Sequence, residues 1–66
     1  MAVAYNFNSF LNSISEKIAE KFSADIAKQA MCDKFFVMEL ANDYDIGRSA
    51  EEALSMHIAE IAVTYA

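Results

Sequence analysis

The chain has one histidine, His57, and one cysteine, Cys32, so any chemistry that pairs an imidazole with a thiol must use these two. Nucleophilic catalysis by such a pair needs an oriented base and a group to hold an oxyanion. Cys32 has no second cysteine and no flanking motif, and it reads as an inert small hydrophobe in the core or an interface. His57 falls on an apolar helical stripe with Ala50, Leu54, Ile58, Ile61 and Tyr65. That placement predicts a mostly buried ring, hydrogen-bonded to a neighbouring helix. No catalytic residue is assigned, and the chain is expected not to be an enzyme.

The carboxylates are the other reactive groups. Asp43, Asp45, Glu51 and Glu52 fall within ten residues. A calcium loop would need oxygen ligands at its positions 1, 3 and 5, glycine at 6 and glutamate at 12. Starting at Asp43 puts Gly47 at position 5 and Leu54 at 12, and starting at Asn42 puts Tyr44 and Ile46 at ligand positions. Neither register fits, so no metal and no cofactor are expected. Glu51 and Glu52 are adjacent and do not face one another on a helix, so they do not read as an acid–base pair. What remains for the four acids is recognition of lysine and arginine on a partner.

Charge distribution supports that role. From Met1 to Cys32 three acids and three bases cancel, whereas the stretch from Asp33 onward carries the whole net charge of −5. Such a pole biases partner choice. It disfavours direct contact with nucleic acid, which needs clustered lysine and arginine, and with an anionic membrane surface. A helix–turn–helix reading fails on the same ground, because its recognition helix would open with Ala50-Glu51-Glu52.

The elements that position these groups follow from composition and period. Sixty-six residues without proline, with one glycine and twelve alanines, favour an all-α single domain. The first helix is expected over about 7–22, with Asn6 as cap, Phe7, Leu11, Ile14, Ile18 and Phe22 as its stripe and Phe10 at the edge. The second is expected over about 24–41, capped by Ser23, with Ile26, Ala30, Val37 and Ala41 at its centre. Since neither glycine nor proline separates these two, a single bent helix is the alternative. Asn42 to Arg48 reads as a loop around Gly47, and the third helix, about 49–65, opens on a capping box of Ser49 and Glu52. Residues 1–5 are read as an N-terminal arm. The start MAVAYNFNSF has no basic leader and no apolar run of signal-peptide length, and no stretch reaches about 20 apolar residues, so a cytoplasmic protein is expected.

A hydrophobic fraction of 56% exceeds what three short helices can hide. Phe35 and Phe36 do not fit the second stripe, and Met31 lies beside Phe35 on its flank. These three, with Tyr44, are the apolar candidates for a partner surface, because aromatics and methionine are enriched at interface cores. Size and acidity together resemble those of small acidic inhibitors carried by phages and mobile elements, including anti-CRISPR proteins. The resemblance implies a non-enzymatic inhibitor that docks on a basic, nucleic-acid-handling protein, with Asp43, Asp45, Glu51 and Glu52 steering the encounter and the apolar groups anchoring it. The alternative is a structural or assembly subunit forming a homodimer or larger homo-oligomer through Phe35, Phe36, Met56 and Val63.

Overall fold

Four α-helices make up the computed structural model, which describes residues 6–66: α1 (Phe7–Lys21), α2 (Ala24–Cys32), α3 (Lys34–Asp45) and α4 (Ala50–Thr64). The fold is a small all-α bundle, with no strand among the described residues. The expected N-terminal arm, residues 1–5, lies outside the described residues. No described helix is long and apolar enough to cross a membrane.

The helices number four because the segment expected over 24–41 is two. Asp33 divides it. Its backbone is extended (φ −83°, ψ 109°), and its N–H closes α2 on the Ala30 carbonyl. Its side-chain Oδ1 accepts from the Phe35 and Phe36 N–H groups at 3.0 and 3.4 Å, capping α3. The break shifts the helical phase. Ala27 and Ala30 are buried on α2, but Phe36, Leu40 and Asp43 are buried on α3, and Val37 and Ala41 are only half-buried. The misfit of the two phenylalanines to a continuous stripe was the trace of this restart.

α1 and α2 are separate helices, not one bent one. Phe22 leaves the helical region and Ser23 caps α2, its Oγ accepting from the Ile26 N–H at 3.2 Å. α1 itself starts at Asn6, whose Oδ1 accepts from the Ser9 N–H at 2.9 Å. It packs against each of the other three helices. That position turns its buried face toward Phe10, Ile14 and Ile18, with Phe7, Leu11 and Phe22 on the flanks, so Phe10 lies at the centre rather than the edge. Burying such side chains contributes about 1.5–3 kcal/mol each, a large share for so small a chain.

α3 runs four residues further than expected, and its exit is short. The Gly47 N–H bonds the Tyr44 carbonyl and the Arg48 N–H bonds the Asp43 carbonyl, at 3.1 and 3.0 Å. With Gly47 at φ +89° this is a Schellman closure. α4 then opens on the full capping box, Ser49 Oγ accepting from Glu52 N–H and Glu52 Oε1 from Ser49 N–H.

Candidate functional site

α3 and α4 run antiparallel and meet through a mixed aromatic and polar seam. Phe36 lies edge-on to the rings of His57 and Tyr65, at 5.7 and 6.4 Å between centroids. His57 and Ile61 lie four residues apart on α4, Tyr65 follows at its C-cap, and Phe36 and Leu40 lie four apart on α3, so each set shares one side of its helix.

A polar bond closes the seam at each end. At one end, the Tyr65 hydroxyl donates to Asp33 Oδ2 at 2.5 Å. Burial first, and then the carboxylate, push the Tyr65 hydroxyl up to about 12. The same bond pulls Asp33 below the usual carboxylate value, helped by the Phe36 and Phe35 N–H groups and opposed by partial desolvation.

At the other end sits Asp43, at 3% exposure the one buried charged residue among those described. Both its oxygens are used. The Arg48 guanidinium donates to Oδ1 at 2.5 Å, and His57 Nε2–H donates to Oδ2 at 2.8 Å. The Schellman turn delivers Arg48: a residue whose backbone N–H bonds the Asp43 carbonyl carries its side chain back over the same aspartate. Where such turns often place an apolar contact, this one has an ion pair.

Nδ1, the far nitrogen of His57, points outward between two glutamates. It lies 3.5 Å from Glu39 Oε1 on α3 and 3.4 Å from Glu60 Oε1, one turn further along α4. Both carboxylates are about half exposed, whereas the His57 side chain is 14% exposed. A shallow groove beside them is lined by Phe35, Met38, Asn42 and Arg48.

The eight residues singled out from sequence do not form one site. Asp43 and Phe36 leave the surface altogether. Asp43 is turned inward by the restart at Asp33 and holds α3, the turn and α4 together, and Phe36 is core. Tyr44 is half-buried against Phe7 and Phe10, with ring centroids 5.4 and 5.3 Å away, and Met31 is half-buried against the core. Glu51 is exposed and lies 3.6 Å from Lys17, a surface pair worth little. Glu52 is exposed but engaged in the capping box. Asp45 and Phe35 are exposed on α3. Cys32 is exposed and so lies outside the core, one of the two places expected for it.

Residues missed from sequence are Asp33, Glu39, Arg48 and Glu60. The spacing of His57 and Glu60 was legible, whereas Glu39 joins them only through the pairing of α3 with α4. Comparison with family models, curated proteins and solved structures gives no significant match.

Proposed function

We propose that the chain is a non-enzymatic protein-binding module whose docking surface is the outer face of α3. The observation that carries this reading is the exposure of Phe35 (70%) and Met38 (64%), one turn apart on one helix. Asn42 and Asp45 continue the stripe at intervals of four and three residues, Ile46 at the helix end is also exposed, and Glu39 flanks it. Large apolar side chains rimmed by carboxylates suit a partner with an apolar pocket and basic margins. A basic surface of that kind commonly serves nucleic acid, and a module seated on it would inhibit by occupation. The reading keeps Asp45 and Phe35 of the sequence-derived surface and replaces Phe36, Tyr44 and Asp43 by Met38, Ile46 and Glu39.

A second reading has its own observation: Met56 and Val63, two turns apart on α4, are 58% and 86% exposed. That apolar face suits self-association.

One experiment separates the two. Wild type and a Phe35→Ser/Met38→Ser variant are used as baits in host lysate and sedimented over a wide concentration range. The docking reading expects a captured basic protein that the variant loses, with its melting curve within about 0.5 kcal/mol of wild type, as for exposed positions generally. Equal capture by both baits rejects the α3 face. A concentration-dependent dimer broken by Met56→Ser/Val63→Ser supports the assembly reading instead.

A further inference from the structure

We propose that Glu39, His57 and Glu60 form a binding site for a divalent transition-metal ion, zinc in the first place, with Asp43 holding the imidazole from behind. The proposal does not depend on the docking surface above.

The case begins with the histidine. A carboxylate accepts hydrogen bonds and does not donate, so the bond from His57 to Asp43 fixes the hydrogen on Nε2. In the neutral ring the lone pair is then on Nδ1, aimed between Glu39 and Glu60. Three electron-pair donors therefore converge from two helices, and their ligand atoms all lie within 4.8 Å of one another. Such convergence suits a cation at its centre, either a proton on Nδ1 or a metal ion.

Distance favours the metal. A charged N–H···O bond settles near about 2.7–2.9 Å. The contacts here are 3.5 and 3.4 Å, long for a charged bond to either oxygen. Tetrahedral zinc, with bonds of about 2.0–2.2 Å, instead sets neighbouring ligand atoms about 3.3–3.6 Å apart. Two edges of the triangle already have that length, and the third closes by rotation of two half-exposed glutamates.

The surroundings match what metal-ligating histidines require. Their second nitrogen donates to a carboxylate or carbonyl, which fixes the tautomer and raises ligand basicity. Asp43 supplies that carboxylate, itself anchored by Arg48. One imidazole and two carboxylates suit zinc better than magnesium or calcium, which prefer all-oxygen shells. Three protein ligands leave one tetrahedral position open to solvent. The ion would also clasp α3 to α4 on the outer side of their seam, adding to the bond that Asp43 makes within it.

The test is zinc titration of the full chain in a Cys32→Ser background, since the exposed thiol would otherwise compete. Calorimetry is expected to give one ion per chain, with a raised melting temperature and no response to magnesium. The imidazole ¹⁵N resonances should show zinc at Nδ1, with the Nε2–H retained. Glu39→Gln/Glu60→Gln should weaken binding by more than about 10-fold, while leaving the metal-free melting temperature unchanged. Binding that survives the double variant, zinc found at Nε2, or no uptake with zinc in excess would each overturn the proposal.

Discussion

Asp43 shows how far one residue's role depends on direction rather than type. Among the acids of its cluster it is the one that is buried, with both oxygens committed inside the molecule. Replacing it by asparagine keeps one acceptor oxygen and turns the other into an NH2 donor, so either the guanidinium or the imidazole N–H faces a donor. Arg48 stays about one-third exposed, so water takes up part of the loss. Asp43→Asn is expected to destabilise the fold by about 2–3 kcal/mol, below the full cost of breaking a buried pair. For a chain of this size that lowers the melting temperature by about 10–20 °C. Asp45→Asn, two residues on and exposed, is the internal control and should stay within about 0.5 kcal/mol. Equal effects of the two substitutions in a thermal melt would show that Asp43 is not the keystone of the seam.

Among the elements, boundaries that carry their own chemistry were legible, and the one that depended on phase was not. Asn6, Ser23 and the Ser49–Glu52 pair cap helices where side-chain type and spacing predict. Asp33 is as good a cap, but the apolar pattern on both sides of it is dense enough to run through, and only the displaced Phe35 and Phe36 betray the break. Missing it moved the reading of Asp43 and Tyr44 from helix to loop and from inside to outside, and that error also hid the meeting of Glu39 with His57. The turn after α3 offers a test of what local chemistry contributes. A Cβ at Gly47 would meet no atom within 4 Å beyond its chain neighbours, so Gly47→Ala clashes with no packed residue. The cost is that of a left-handed residue (φ +89°), about 1–2 kcal/mol. Denaturant melts should show that loss together with weakened protection of the Arg48 amide from hydrogen exchange. An unchanged midpoint would mean that the Schellman turn contributes nothing to joining α3 and α4.

For the whole molecule, the all-α class followed from composition, but the arrangement of three helices around α1 did not, because nothing in a helical stripe says which neighbour will cover it. The seam between α3 and α4 is where that arrangement is least apolar, and so it should set the response to pH. At the Asp33–Tyr65 end the signs are opposite. Asp33 has a folded value below its ordinary 3.8, so its contribution is complete above that pH and is lost as pH falls through the lowered value. Tyr65 has a folded value raised from 10.0 to about 12, so its contribution is complete below pH 10 and is lost as pH rises across that interval. One hydrogen bond thus contributes to stability over a broad plateau and fails at both limits, by protonation of the acceptor and by ionisation of the donor. Tyr65→Phe keeps the ring against Phe36 and removes the hydroxyl. Its stability, followed by circular dichroism from pH 3 to 12, should be lower than wild type across the plateau. The alkaline limb should flatten, because the raised group is gone. The acid limb should also become shallower, because the tyrosine bond is the largest influence lowering Asp33. If the variant and wild type lose stability in parallel at both ends, the polar bond does not hold this end of the seam, and the aromatic packing of Phe36 against Tyr65 joins α3 to α4 there.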